Sequence, residues 1–491
     1  MKKIQIILSK TEHEYDAYAL LTSFFPGVEV LTKAEIDEKA DGQFIIEEVE
    51  AGIVFTLRYE NINSTKTIGL KSINNELEKK EFGRELYDFL KEATGISLPW
   101  GNLTGIRPTK LIRTMLEEEA SKTGKSLDDE EVKEAVRKRA YSERRLEGDK
   151  LEQGIDIAIR ESNIISKLHG TNGYSVYIGI PFCPSTCLYC SFTSNPIFKF
   201  RKKVNDYLEA IKKELIWTKE NMSGKILDTV YIGGGTPTTL EAEELDELLK
   251  NITEILPWDN VKEFTVEAGR ADSITREKLE VLRKYPVTRI SVNPQTMSDK
   301  TLKLIGRNHT VAQVVEAYKM AKEMGFDNIN MDIILGLPGE SAADVQYTID
   351  EISKLKPESL TVHSLAIKRA SRLKKWMDEN DMEITMDYEK AMAIALKGAE
   401  SMNLNPYYLY RQKQMAGNLE NTGYAAEGKY GLYNILIMEE VQSIVAIGAG
   451  SVSKRVFADG RIERCDNVKD VDLYLEKIDE MIERKNQLFI D

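Results

Sequence analysis

The sequence has only four cysteines and four histidines in 491 residues. Three of the cysteines lie within eight residues and the fourth, Cys465, stands far downstream. A disulfide framework spreads its cysteines in pairs, so this pattern excludes one and points to a metal in a reducing compartment. Positive charge is also short. Against 80 Asp and Glu there are 67 Lys and Arg, a net charge of −13. Nucleic acid is therefore not an expected general partner, because phosphate contacts need an excess of clustered cations. No apolar run reaches the roughly 18–20 residues of a membrane span. The N-terminal MKKIQIILSKTEHEY has a short apolar stretch followed at once by acidic residues, with no small-residue cleavage site. It reads as a first strand and not a signal peptide. A cytoplasmic monomer without an integral membrane segment is expected. No fixed-period repeat or low-complexity tract occurs.

What is present suits a two- or three-domain globular chain, with 42% hydrophobic and 30% charged residues. Residues 1–100 read as an α/β accessory domain. Strands are expected at Lys3–Leu8, Val28–Leu31, Gln43–Glu48 and Ile53–Tyr59, with helices at Glu14–Phe24 and about Asn74–Glu92. Residues 101–170 read as a charged helical linker. Ahead of its first helix, the segment Trp100–Lys110 holds two glycines, a proline, Arg107 and Lys110. This is either a structural turn or a loop that offers two cations to an anion.

From residue 171 to 370 short β-branched runs alternate with amphipathic helical stretches. Strands are expected at Tyr174–Ile180, Thr229–Ile232, Glu263–Glu267, Thr288–Asn293, Asn328–Leu335 and Ser359–His363. Helices are expected at Val204–Lys219, Ala242–Ile255, Val311–Met324 and Ala342–Lys354. The alternation indicates a parallel sheet. Six such units suit a partial (β/α)6 barrel, although a flat doubly wound sheet has the same pattern. Residues 371–491 read as a C-terminal α+β extension that covers the substrate. It begins with helices, has strands near Ile435–Met438 and Ser443–Ala446, and ends in a charged helix.

The cysteine loop follows the first of the six strands: Tyr177-Ile178-Gly179-Ile180-Pro181-Phe182-Cys183-Pro184-Ser185-Thr186-Cys187-Leu188-Tyr189-Cys190. A fully protein-ligated cubane cluster uses four thiolates. Three on one short loop leave one iron open to an exogenous ligand. A structural zinc would want a fourth ligand and paired C-x2-C units. Only one such unit is present, and the nearest histidine is His169.

Other marked residues fall at strand ends, where barrels collect functional groups. Gly233-Gly234-Gly235-Thr236-Pro237 follows the second strand. Alone it is a tight turn, since it lacks both the G-x-G-x-x-G and the P-loop patterns. Glu267 ends the third strand and reads equally as a solvated strand end or a ligand to a ribose or ammonium group. Gln295 follows the fourth strand and Arg307 lies in the next turn. Asp332 sits inside an apolar strand, where a carboxylate needs a partner or a function. A buried ion pair and a functional site both remain open for it.

C-x3-C-x-Y-C resembles the signature of radical S-adenosylmethionine (SAM) enzymes. In order from about Tyr174 to Ala366, the YxxIPFC, GGGTPT, Glu, Gln, Arg and D-x-I-x-GLP elements are similar to those of the oxygen-independent coproporphyrinogen III oxidase family. The resemblance implies a [4Fe–4S] cluster on Cys183, Cys187 and Cys190, with SAM chelating the open iron and yielding a 5′-deoxyadenosyl radical on reduction. It implies that Arg307 holds the SAM carboxylate, that Gln295 and Asp332 hold the ribose, that the Ala366 backbone contacts adenine, and that Tyr177 packs by the sulfonium. Gly234, Gly235, Thr236 and Glu267 complete the cosubstrate set. The implied reaction is oxidative decarboxylation of coproporphyrinogen III to protoporphyrinogen IX in heme biosynthesis. Its partners would be a porphyrinogen or heme-type tetrapyrrole and an electron donor such as flavodoxin or ferredoxin.

Two departures weaken the decarboxylase part. Gly179 stands where the family's oxidases have His, and Ser191-Phe192 follows Cys190 where they have a further Cys. A heme chaperone, a methyltransferase or an anaerobic heme-degrading enzyme of the same kind are the alternatives. On the substrate side, Lys368-Arg369, Lys374-Lys375 and Tyr410-Arg411-Gln412-Lys413 are cationic stretches. Each reads by itself as a solvated face, and Arg411 with Gln412 is the preferred substrate contact. His363 is a strand-end histidine that either packs or meets substrate. Cys465 reads as a small packing residue.

Overall fold

The computed structural model describes residues 2–490 apart from 33–38, 71–75, 106, 192–193, 367–371, 381, 383–385 and 412–419. Its residues divide into two compact units. One is Met1–Ile159 with Tyr410–Glu420, and the other is Arg160–Leu409 with Asn421–Asp491.

The first unit has a five-stranded sheet in the order β2-β1-β3-β4-β5, made of β1 (Lys3–Leu8), β2 (Glu29–Leu31), β3 (Gly42–Val49), β4 (Gly52–Tyr59) and β5 (Ile62–Ile68). β1 pairs parallel with β2 and β3, and β3-β4-β5 is an antiparallel meander. Helices Glu14–Phe24 and Glu76–Thr94 join it in a core of Ile4, Ile6, Phe24, Phe44, Phe55, Phe82 and Phe89. The sequence reading did not anticipate β5. Its residues, Ile62-Asn63-Ser64-Thr65-Lys66-Thr67-Ile68, show no apolar alternation because an edge strand has little to bury. Three helices follow, Pro108–Thr123, Glu130–Arg144 and Gly148–Ile165.

The second unit is built on six parallel strands in chain order: β6 (Gly173–Ile180), β9 (Ile226–Gly234), β10 (Glu263–Gly269), β11 (Arg289–Val292), β12 (Ile329–Leu335) and β13 (Ser359–Ser364). The intervening pair β7 (Phe182–Cys183) and β8 (Asn195–Pro196) belongs to the cysteine loop. Helices Val204–Asn221, Ala242–Ile255, Arg276–Lys284, Val311–Glu323 and Ala342–Leu355 lie between the strands. All but the first of these start at side-chain caps, such as the Thr310/Gln313 box, and they present apolar stripes, for example Val314, Ala317, Tyr318 and Ala321. Sequential parallel strands joined through helices make the partial (β/α)6 barrel.

Along each strand one face is aliphatic, as in Val176, Ile178, Val230, Ile232, Ile290 and Met331, all buried. The alternate residues make a polar interior that bonds to itself. Thr229 donates to Ser175 at 2.8 Å and Thr361 donates to Asn330 at 3.1 Å. This is period-2 patterning with polar residues turned inward, and it leaves an interior suited to a polar ligand.

The C-terminal chain extends both edges of the sheet. β15 (Asn421–Ala425) runs antiparallel beside β13, with β14 (Asn405–Tyr410) outside it. On the other edge β16 (Ser443–Ile447) pairs parallel with β6, followed by the antiparallel β17 (Val452–Val456) and β18 (Ile462–Asp466). Cys465 lies on β18 opposite Ser453. The strand expected near Ile435–Met438 is instead part of a helix, Leu432–Glu439. An apolar run of four has no readable period. The deciding contact is remote, because the Glu263 carboxylate accepts from the N–H groups of Leu432 (2.6 Å) and Tyr433 (3.1 Å) and so caps the helix start.

Candidate radical site at the barrel mouth

The cysteine loop leaves β6 at Ile180 and is pinned at several points. Gly235 N donates to Ile180 O at 2.7 Å, Thr236 N to Phe182 O at 2.8 Å, Asn195 N to Pro181 O at 2.7 Å and Leu188 N to Ile305 O at 2.9 Å. Gly235 is required here, because a Cβ would lie 2.5 Å from Phe182 O. Cys183 and Cys187 are buried and Cys190 is half-buried, and none is in a disulfide. The Cys183 thiol lies 3.5 Å from the Thr236 hydroxyl. Burial pushes that thiol up to about 11, opposed by the Thr236 contact.

Arg270, directly after β10, was not anticipated from the sequence. It is 3% exposed, and its Nη1 donates to Cys187 Sγ at 3.6 Å and to both the carbonyl and hydroxyl of Ser185 at 3.0 Å. Asp272 holds the guanidinium at 2.6 Å, and His309 Nδ1 stands 3.4 Å from Asp272. Burial opposes ionisation of Asp272, but His309 and Arg270 keep its carboxyl below the usual range. A fixed cation against a thiolate loop favours the deprotonated, metal-binding form. The available signal was a cation three residues beyond the expected strand end at Glu267.

Arg307 is also buried against the loop. Nη2 donates to the Tyr189 hydroxyl at 3.1 Å, Nη1 to Asn293 O at 2.6 Å, and Nε has no partner. Gln295 is one of six non-glycine residues at positive φ (+67°) among the described residues. Its backbone is clamped between neighbours, with N donating to Asp332 O at 2.9 Å and O accepting from Ile334 N at 3.0 Å. Its side-chain Oε1 is buried without a partner. A left-handed conformation held by two hydrogen bonds, with an unsatisfied amide at its end, is the kind of strain that functional sites keep.

Beneath these groups lies a carboxylate pair. Asp332 accepts from Asn330 Nδ2 at 2.6 Å, and His363 Nε2 stands 3.9 Å away. Burial opposes its ionisation, yet His363 and Asn330 hold it below the ordinary carboxylate range. Glu267 goes the other way. Burial raises it to about 7, with the Tyr231 hydroxyl hydrogen bond opposing and the Asp332 charge adding to the rise. Tyr231, Tyr177 and Tyr433 form a triangle of near-parallel rings, with centroids 4.5 Å apart for Tyr231–Tyr433 and 6.1 Å apart for Tyr177–Tyr231 and for Tyr177–Tyr433. Neither Tyr231 nor Tyr433 was singled out from the sequence. Tyr433 arrives on the helix capped by Glu263. The backbone at Gly233 and Gly234 passes closely, because a Cβ on Gly233 would meet Glu267 Oε1 at 3.0 Å and one on Gly234 would meet the Tyr177 hydroxyl at 3.3 Å.

Tyr177, Cys183, Cys187, Cys190, Gly234, Gly235, Thr236, Glu267, Gln295, Arg307, Asp332 and His363 thus gather at the C-terminal ends of the strands. Ala366, half-buried, follows the end of β13 there. Arg411 lies in the other unit and donates to Leu103 O at 2.6 Å. Gln412, Lys413, Lys368 and Arg369 fall outside the described residues. Lys374 and Lys375 are paired along their own helix with Asp378 (2.6 Å) and Glu379 (3.8 Å).

A three-thiol loop over a polar partial (β/α)6 barrel defines a radical SAM protein, and residues 177–352 match the family model described as Radical SAM superfamily. Among curated relatives, the chain is 41% identical over 413 residues to the oxygen-independent coproporphyrinogen-III oxidase-like protein HemZ of Bacillus subtilis, spanning 82% of this chain and 80% of that protein. It is 38% identical over 195 residues to the heme chaperone HemW of the same organism, 40% of this chain and 51% of the relative. The solved structure of coproporphyrinogen III oxidase (HemN) from Escherichia coli superposes with a TM-score of 0.52 at 18% identity, covering 68% of this chain and 74% of that one, and shows the shared fold. The chain belongs to the HemZ-type, coproporphyrinogen-III oxidase-like family of radical SAM proteins.

The family's cofactors are a [4Fe–4S] cluster and SAM. The residues present fit both. Three free thiols share one pinned loop beside a buried cation, and the unpartnered Gln295 Oε1 and Arg307 Nε lie at the same mouth.

Proposed function

We propose that this protein carries out the oxygen-independent oxidative decarboxylation of coproporphyrinogen III to protoporphyrinogen IX. The observation that supports the reading best is the convergence of the three-thiol loop with Arg307, Gln295, Asp332 and Glu267 on one barrel mouth, in a chain similar to HemZ over most of its length. With cluster and cosubstrate bound, the site would supply a radical that removes a hydrogen atom from a substrate propionate, which would then lose carbon dioxide and pass one electron to an external one-electron acceptor to become a vinyl group.

The chain's own residues bind and orient. Cys183, Cys187 and Cys190 ligate iron. Arg307 takes the cosubstrate carboxylate through the part of its guanidinium not used by Asn293 and Tyr189. Glu267, with the backbone of Gly234 and Gly235 and the Thr236 hydroxyl, takes the ammonium group. Gln295 and Asp332 bind the ribose, Ala366 meets adenine through its backbone, and Tyr177 covers the sulfonium. His363, 3.9 Å from Asp332, meets the substrate. A one-electron carrier such as flavodoxin or ferredoxin supplies the electron, and the setting is cytoplasmic.

A heme chaperone is the second reading. The 38% identity to HemW favours it, as does Gly179, whose position beside Tyr177 bears no side chain where the oxidases have an imidazole. The test is anaerobic reconstitution with iron and sulfide, followed by reductant, SAM and coproporphyrinogen III, with mass spectrometry of the porphyrinogen. Vinyl products support decarboxylation. Consumption of SAM with the substrate unchanged, together with stoichiometric heme binding, would establish the chaperone instead.

A further inference from the structure

The Trp100–Lys110 loop, with its paired glycines and cations, has no part in the radical site. Within the first unit its residues Asn102, Leu103, Thr104, Gly105, Arg107 and Pro108 line one side of a cavity of about 300 Å3. The other walls come from helix Glu76–Thr94 through Lys79, Lys80 and Gly83, from the end of helix Glu130–Arg144 through Arg144, and from Asp16. Arg107 lines it from the N-cap of helix Pro108–Thr123. Four cations thus face one lining carboxylate, in a chain whose net charge is −13. Lys80 is partly balanced by Glu143 at 3.6 Å. No carboxylate pairs with Lys79 or Arg144 among the described residues, and Arg144 Nε is buried with no partner.

Two further features concern what the cavity would hold. The sixteen-residue helix Pro108–Thr123 begins at its wall, with Pro108 at the first helical position and Leu111 also lining. The free N–H groups and dipole of a helix start favour an anion. Asn102 is 8% exposed, lines the cavity and keeps its side-chain Oδ1 without a partner. A buried amide oxygen of this kind calls for a donor. The volume lies at the small end of ligand sites, too tight for a tetrapyrrole macrocycle.

We propose that this cavity binds a small organic phosphate with a hydroxyl group. The phosphate lies among Lys79, Arg107 and Arg144 at the helix start, and a hydroxyl donates to Asn102 Oδ1. The site is separate from the radical chemistry and does not depend on which tetrapyrrole reading holds.

The test is isothermal titration calorimetry on the full-length reconstituted protein with ribose 5-phosphate, inorganic phosphate and citrate. Saturable binding is expected for ribose 5-phosphate, weaker binding for inorganic phosphate, and none for citrate. Arg144→Gln should weaken both phosphates roughly tenfold or more, the scale of a charge-assisted hydrogen bond. Lys79 is exposed, so Lys79→Gln leaves folding untouched and should weaken both severalfold without changing SAM cleavage. Asn102→Ala should remove the preference for the sugar phosphate over inorganic phosphate. The proposal is overturned if neither phosphate binds, if citrate binds as well as they do, or if Lys79→Gln and Arg144→Gln bind like the wild type.

Discussion

The two ends of the barrel bury polar groups in different ways. At the N-terminal ends of the strands the carboxylates are engaged. Asp228 accepts from His169 N (3.1 Å), His169 Nδ1 (2.7 Å) and Gln442 Nε2 (2.5 Å). Glu263 accepts from two N–H groups of the Leu432–Glu439 helix, and Glu358 accepts from Lys322 (2.6 Å) and Ile329 N (3.0 Å). At the C-terminal ends Gln295 Oε1, Asn293 Oδ1 and Arg307 Nε are buried with nothing bonded to them. Unmet polar groups in a folded interior are unfavourable by about 1–3 kcal/mol each. The difference teaches that the lower-end carboxylates are committed to structure, while the upper end keeps buried amide and guanidinium groups open to a ligand.

Breaking the upper end should abolish function while leaving the fold intact. The largest effect is expected for Cys183→Ala, which should prevent cluster loading altogether, read as iron and sulfide content after reconstitution, with the far-UV spectrum unchanged. Arg307→Met should follow. It loses a charged hydrogen-bond donor to the cosubstrate, and SAM affinity should fall about 10- to 100-fold in equilibrium dialysis.

Breaking the lower end should do the reverse. Glu263→Gln turns one of two accepting oxygens into an amide that faces an N–H donor. It should lower unfolding stability by about 2 kcal/mol in denaturant titration with SAM affinity retained. If it instead weakened SAM binding as much as Arg307→Met, the contrast between the ends would collapse.

The smallest effect sharpens the comparison by pH. With Glu267 raised to about 7, the carboxylate that would meet an ammonium group becomes charged only as pH rises through 7, so SAM affinity should increase across that interval. Tyr231→Phe removes a hydrogen bond that lowers this value. The midpoint should therefore move upward, with a severalfold loss of affinity at neutral pH. The stability linkage has a definite sign. Below an unfolded value near 4.5 the group is protonated in both states. Between there and about 7 the folded state keeps a proton that the unfolded chain has lost. Its contribution to stability therefore declines as pH rises through that interval and is constant above it. A midpoint that stays fixed in Tyr231→Phe would remove Glu267 from the binding groups.

Much of the barrel was legible because each strand joins a β-branched run to an abrupt turn. The six strands lie within a few residues of their expected places, and the helix Ala242–Ile255 lies at its expected bounds. The cysteine loop and the GGGTP turn were legible as patterns of spacing. Arg270 and Tyr231 were not, since a cation after a strand and a tyrosine within one are ordinary in sequence and acquire meaning only through what they touch. The Leu432–Glu439 helix was misread as strand because the carboxylate that caps it lies 169 residues earlier. The β17–β18 hairpin was missed although Asp459-Gly460 lies between its strands, a turn signal available from sequence alone.

If the barrel mouth holds the cluster and SAM, SAM is cleaved there on reduction. The most direct test is to reduce the reconstituted protein with dithionite under anaerobic conditions in the presence of SAM and to quantify 5′-deoxyadenosine by liquid chromatography. Formation in the wild type and none in Cys183→Ala is the predicted result. Equal formation in both proteins, or none in a wild type that carries its full complement of iron, would contradict it.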